Sequence, residues 1–308
     1  MTHNAPAGSP GPRAGSPGSA DELEPDERTT GVPEAGVPAT APRLTVTLLG
    51  TGTSTGVPII GCDCRTCTSD DPRDDRMRTS AHVVAHTDAG DVHLQVDTGP
   101  DFRRQALRFG VRTVDALLVT HEHFDHVVGL DDLRPFFFRD ASPIPVYAQP
   151  STAEALRQMF RYVFDRTYPG ASRLDLHPVT GAFAVASRAD GRARVAVTPV
   201  PAEHGSFPVL GFRIGAFAYL TDVNAIPASS LALLDGVDTL VLDGLRRDEH
   251  PTHFTFDQAT DVARRVGARD TVFVHMTHSV LHAEDDATLP AGVRLGYDGL
   301  VLPVGARP

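Results

Sequence analysis

Residues 115–130 read DALLVTHEHFDHVVGL, an apolar run rich in strand formers that passes straight into His121, His123, Asp125 and His126. One face of a helix would need spacings of three and four. The H-x-H-x-D-H pattern instead suits a loop that wraps its side chains round two adjacent ions at the end of a strand. Such a loop needs partners from elsewhere, and later strand-like segments end in the right residue types: His204 in VPAEHGSF, Asp222 in AYLTDVN and His275 in VFVHMTH. Delivering ligands from several strand ends demands a rigid scaffold that brings those ends to one edge.

The rest of the chain can build that scaffold. LTVTLL (44–49), AHVVAHT (81–87), VHLQVD (92–97), DALLVT (115–120), VAVTPV (195–200), FAYLTD (217–222), DTLVLD (238–243) and DTVFVH (270–275) read as strands. DFRRQALRFG (101–110), STAEALRQMFRYVF (151–164), ASSLALLDG (228–236) and TFDQATDVARRVG (255–267) carry apolar residues at helical spacing. Mixed elements of this kind predict a layered α/β architecture in one large domain, residues 43–308. In the last helix Thr255 and Gln258 form a T-x-x-Q capping box and Gly267 a stop, so His253 stands just before a helix N-terminus, where anions are favoured. Phe136, Phe137 and Phe138 are read as core, with a pocket wall as the other reading.

Residues 1–42 are dominated by Pro, Gly, Ala and Ser, with almost no large apolar side chains to offset ordering entropy, and are expected to be a disordered tail. No stretch resembles the apolar core of a signal peptide or the roughly 18 apolar residues of a membrane span, so a cytoplasmic protein without membrane attachment is expected. With 28 basic against 39 acidic residues, a net charge of -11, long nucleic acid is a disfavoured partner, although metal charge can still draw a small anion. A homodimer stays open as an assembly state.

All three cysteines lie in IIGCDCRTC, as Cys62, Cys64 and Cys67. Three neighbouring thiols make a poor disulfide framework, whereas C-x-C-x-x-C leaves one corner of a tetrahedral zinc site for a histidine from elsewhere. His278 is the candidate, tied in sequence to His275. His3, His82, His86, His93, His177, His250 and His282 receive no role.

On the H-x-H-x-D-H run and the strand-end residues, the sequence resembles the metallo-β-lactamase fold superfamily of metal-dependent hydrolases. That resemblance implies a four-layer αββα sandwich with the site at one edge. It implies His121, His123 and His204 on one metal, Asp125, His126 and His275 on a second, and Asp222 bridging them, with Asp97 behind the metals orienting an imidazole. GTGTSTGVPIIGCDCRTC together with the distant HMTH is similar to the PhnP-type phosphoribosyl cyclic phosphate phosphodiesterases, in which three cysteines and this histidine hold a structural zinc. The likeness implies two divalent ions, Mn or Zn, at the active site. It implies a small anionic phosphodiester as substrate, and His253 and Asp125 as catalytic residues. A tRNA-processing endonuclease of the same superfamily and a PqqB-like cofactor-pathway protein are the alternative readings.

Overall fold

The computed structural model describes residues 42–305 except 141, 166, 167 and 169, so the tail read as disordered lies, up to residue 41, outside the described residues. The strands are β1 (Arg43–Gly50), β2 (Ser80–Thr87), β3 (Gly90–Val96), β4 (Ala116–Leu118), β5 (Ile144–Ala148), β6 (Leu174–Pro178), β7 (Phe183–Ala186), β8 (Arg194–His204), β9 (Phe207–Ile214), β10 (Phe217–Leu220), β11 (Thr239–Asp243), β12 (Asp270–Val274), β13 (Val293–Leu295) and β14 (Val301–Val304). They form two seven-stranded sheets, β14-β1-β2-β3-β4-β5-β6 and β13-β12-β11-β10-β9-β8-β7. Neighbours from β3 to β6 and from β10 to β13 are parallel, while the remaining pairs are antiparallel.

Alternation along the strands explains the layering. Val46, Leu94, Leu118, Phe212, Tyr219, Val241 and Val272 meet in one buried cluster between the sheets. Their strand neighbours Leu117 and Val119 turn outward to a second cluster, and Leu240, Leu242 and Phe273 to a third. A strand buried on both faces has to be apolar at consecutive positions, which is why DALLVT and DTLVLD show no polar alternation. Helices cover the outer faces: α1 (Phe102–Phe109), α2 (Phe124–Val127), α3 (Arg134–Asp140), α4 (Pro150–Met159), α5 (Arg161–Phe164), α6 (Ala228–Ala232), α7 (Phe256–Val266) and α8 (His282–Asp286). Phe102, Phe136 and Leu156 pack on the first sheet and Phe256, Ala259 and Val262 on the second, completing the αββα sandwich. Among the described residues no helix is long and apolar enough to cross a membrane.

Some expected boundaries shift for identifiable reasons. The helix expected over 151–164 breaks at Phe160 (φ -116°, ψ 40°), yet Leu156, Phe160 and Val163 all enter one core cluster, so the apolar pattern runs across the break without marking it. The strand expected over 115–120 shortens to Ala116–Leu118. Asp115 turns its carboxylate to the backbone N–H groups of His93 and Arg188 (2.7 and 2.6 Å), and the N–H of Thr120 goes to a side chain instead of a neighbouring strand. Asp125 and His126, expected on a loop, sit on the single turn of α2. Phe136 is core, as read, whereas Phe138 is exposed.

Candidate active site

The parallel strands β3, β4, β10, β11 and β12 all point their C-terminal ends to one edge, the usual place for a site in such sheets. Three residues just beyond those ends, Asp97, Asp222 and His275, have left-handed backbone (φ 56°, 55° and 65°), the non-glycine residues so placed among the described ones. That conformation costs a residue with a Cβ roughly 1–2 kcal/mol, least for Asp and Asn. It turns the chain sharply as each strand finishes.

The expected residues converge here. His121 Nε2 lies 2.9 Å from His123 Nδ1 and 3.9 Å from an Asp222 carboxylate oxygen. The ring centroids of His123 and His204 are 5.4 Å apart. His126 Nε2 is 3.3 Å from oxygens of both Asp125 and Asp222, and His275 Nδ1 is 3.0 Å from the latter. Ligand atoms of Asp125, His126, Asp222 and His275 all fall within 4.8 Å of one another, so this set could share one ion. His126 Nε2 and His275 Nδ1 are buried without a hydrogen-bond partner although carboxylate oxygens face them. Ring nitrogens and carboxylate oxygens gathered round one point, with those two nitrogens left without a hydrogen bond, fit a bound cation.

Electrostatics agrees with that fit. Burial drives His275 down to about 4 and His121 well below the ordinary imidazole value. Burial would lower His126 too, but Asp222, Asp97 and Asp125 reverse the effect and hold it high. Burial would raise Asp222, but His275, His126 and His121 keep it well below the usual carboxylate range. Buried anions beside imidazoles, two of which burial keeps neutral, are an environment a divalent metal stabilises.

Behind this layer the partners orient the rings. Asp97, fully buried, accepts the N–H of Thr120 (2.9 Å), its hydroxyl (2.8 Å) and His126 Nδ1 (2.8 Å). His204 donates its Nδ1–H to the Thr252 carbonyl at 2.7 Å, which frees Nε2 for a ligand. His253 Nδ1 meets Asp243 Oδ2 at 2.7 Å, and that oxygen also accepts the Val223 N–H at 2.8 Å. Burial raises Asp243 to about 6 against the pull of His253, while Asp243 outweighs burial to hold His253 above its ordinary value. His253 also lies with His204 and Asp222 within 4.8 Å by ligand atoms, its ring 4.6 Å from that of His204 and 4.9 Å from that of His275. The capping box forms as expected, Gln258 N donating to Thr255 Oγ1 and Thr255 N to Gln258 Oε1, with Gly267 left-handed at φ 75°. Asp243, which the sequence reading left without a role, ends a strand just as Asp97 does. Phe207 stacks on His123 at 5.2 Å and carried no such signal.

Three residues beyond His275, His278 Nδ1 stands 3.3, 3.5 and 3.7 Å from the sulfurs of Cys62, Cys64 and Cys67. Zinc bond lengths in a tetrahedron imply sulfur–nitrogen separations of about 3.6 Å. The backbone N–H groups of Ile59 and Cys67 donate to Cys67 and Cys64 sulfurs, and hydrogen bonding to its neighbour Cys67 lowers the Cys64 thiol to about 6. The buried Arg76–Asp74 pair (2.8 Å) braces the loop, Arg76 donating to the Thr277 carbonyl and Asp74 accepting the His282 N–H.

An αββα sandwich that gathers histidines and aspartates at the ends of its parallel strands is the fold and site of a metallo-β-lactamase-type hydrolase. The chain belongs to the β-lactamase superfamily, whose domain model matches residues 93–276, and within it to the PhnP family. The second step rests on a solved structure described as a new diphosphatase from the PhnP family, 41% identical, with a TM-score of 0.75 over 84% of this chain and 97% of that one. A protein of Porphyromonas gingivalis named octanoyltransferase is 43% identical over 82% of this chain, which spans about half (50%) of that relative's length. Ribonuclease Z of Mycolicibacterium gilvum is 28% identical over 79% of this chain and 87% of its own.

Proposed function

We propose that the protein hydrolyses small phosphodiesters, foremost cyclic phosphates of a ribose or nucleoside. In this reading His121, His123 and His204 would hold one divalent ion, Asp125, His126 and His275 the other, and Asp222 would bridge them, Mn or Zn being the ions expected. Such ions supply the charge that acidifies a water and neutralises phosphoryl oxygens. Cys62, Cys64, Cys67 and His278 would hold a structural zinc, since four protein ligands leave no open position. Reduced thiols there suit a cytoplasmic protein.

The observation that carries the reading is the His253–Asp243 pair at 2.7 Å, set beside the carboxylate and imidazole cluster. Cleaving a diester releases an alkoxide, a poor leaving group that needs a proton. His253, whose proton Asp243 helps to retain, would present an Nε2 proton to that oxygen, while Nδ1–H stays on the carboxylate and fixes the ring. Asp97 keeps the Nδ1 proton of His126 turned away from the site. A diphosphate bond, suggested by the description of the 41%-identical relative, has a better leaving group and would lean less on His253.

The test is His253→Ala assayed on diesters of graded leaving-group acidity. Turnover should fall about 10²-fold or more for poor leaving groups and less for good ones, with metal content unchanged. An equal loss throughout would make His253 a positioning residue. The similarity to ribonuclease Z favours a second reading, a tRNA-processing nuclease, so pre-tRNA belongs beside cyclic phosphates, linear diesters and diphosphates in the substrate panel.

A further inference from the structure

His250 receives no role from the sequence, but its ring lies 5.0 Å from that of His253. Its surroundings determine which nitrogen carries the proton. The backbone N–H of Thr252 points at His250 Nδ1 (3.4 Å) and the Thr252 hydroxyl lies 3.3 Å from the same atom. A backbone N–H can only donate, so Nδ1 is the acceptor and the ring proton resides on Nε2. Thr252 sets His204 the opposite way, because its carbonyl takes the Nδ1–H of that ring at 2.7 Å. One residue thus leaves His204 with a bare Nε2 and His250 with an Nε2–H. Burial, with His253, Arg246 and His204 nearby, disfavours a second proton on His250.

The loop between β11 and α7 that carries these groups is fastened at several points. Asn224 donates to the Pro251 carbonyl at 3.0 Å and accepts the Gly205 N–H at 2.7 Å. Arg246 donates to the carbonyls of Asp248 and Glu249 (3.3 and 3.1 Å). A half-exposed ring with its N–H on Nε2 is therefore held beside the proposed proton donor.

We propose that His250 is a substrate-binding residue whose Nε2–H donates to a non-bridging oxygen of the substrate's phosphate. This rests on the phosphoester reading above, and it divides the labour between two adjacent rings: His250 holds an oxygen that keeps its charge, and His253 protonates the oxygen that leaves.

Steady-state kinetics of His250→Ala and His250→Gln on the best substrate of the panel separate the roles. The glutamine amide can place an N–H near the position of Nε2. In His250→Ala, KM should rise about 10–100-fold with kcat changed by no more than about threefold, equally for good and poor leaving groups, as expected for loss of a hydrogen bond to a charged group. His250→Gln should recover most of the loss. Inorganic phosphate binding to the metal-loaded protein, measured by calorimetry, should weaken by a similar factor in the alanine variant. Long-range proton–nitrogen NMR on the wild type should show Nε2 protonated. An unchanged phosphate affinity and KM in His250→Ala, a leaving-group-dependent loss of kcat, or a proton on Nδ1 would each overturn the proposal. If the wild type hydrolyses no phosphoester at all, the phosphodiesterase reading falls, while phosphate titration and NMR still decide on His250.

Discussion

Replacing Asp97 by Asn is a near-isosteric change at a fully buried position, and the hydrogen bonds there fix what it must do. Asparagine tolerates the left-handed backbone (φ 56°) as well as aspartate does, so the turn survives. Its carbonyl oxygen can still accept the Thr120 N–H now bound at 2.9 Å, and the Thr120 hydroxyl can rotate to accept from the amide. His126 has no such freedom. Its Nδ1, now 2.8 Å from a carboxylate oxygen, would face an N–H donor and would have to give up its proton. The ring proton then moves to Nε2, the atom 3.3 Å from Asp125 and Asp222 that would serve as the proposed ligand. Metal affinity of that group should fall about 10–100-fold, the usual effect of losing an orienting partner. Stability should fall by only about 1–3 kcal/mol, the cost of one imperfect buried partner. Asp97→Ala goes further, orphaning three buried donors and straining the turn, and should cost about 3 kcal/mol or more. Equilibrium dialysis against graded Mn or Zn and urea unfolding measure the two effects. Wild-type metal affinity in Asp97→Asn would refute the proton-placement reasoning, and an alanine variant as stable as the asparagine one would refute the hydrogen-bond accounting.

Three further outcomes are expected. Asp222→Ala should lose metal occupancy and all hydrolysis while circular dichroism stays native, and undiminished activity would sink the two-ion assignment. His278→Ala and Cys64→Ser should release a zinc that survives mild chelation in the wild type, with a lower melting temperature, because binding free energy at a structural site is folding free energy. Full zinc and full stability in His278→Ala would place the fourth ligand elsewhere. Asp298 accepts the Met77 N–H and the Thr51 hydroxyl (2.7 and 2.9 Å), yet burial lifts it to about 7. The native state then keeps a proton that the unfolded chain loses near pH 4, so this group's contribution is full in acid and is lost as pH rises from about 4 through 7. The stability difference between wild type and Asp298→Asn, measured from pH 5 to 8, should shrink or change sign with rising pH, and a flat difference would count against it.

Most of the site could be read from the chain because ligand types sit at strand ends, and a strand end shows in sequence as an apolar run stopped by a polar residue. That logic found His121, Asp222 and His275, and applied evenly it would have found Asp243, which closes LVLD in the same manner. His250 was not legible. Its proton position depends on Thr252, and the placing of Thr252 depends on Asn224 and His204, which belong to other strands and turns. Lone histidines reveal such roles only through contacts across the fold. The break at Phe160 was hidden for the opposite reason, since the apolar spacing that signals a helix is preserved where the chain leaves it.

The left-handed residues show why local preference and site chemistry part company here. A reading by backbone preference would put glycine where a strand turns out of its sheet with φ near +60°. This chain uses glycine so at Gly110 and Gly267, where helices end. At Asp97, Asp222 and His275 it keeps side chains instead, and the apolar layer on one face of β3 and those on both faces of β10 and β12 hold the strained turns in place. Glycine at any of these positions would relieve strain and delete a charge or ring nitrogen at the centre of the site. Stability and function therefore pull in opposite directions at the strand ends, and the retained side chains mark where function prevails.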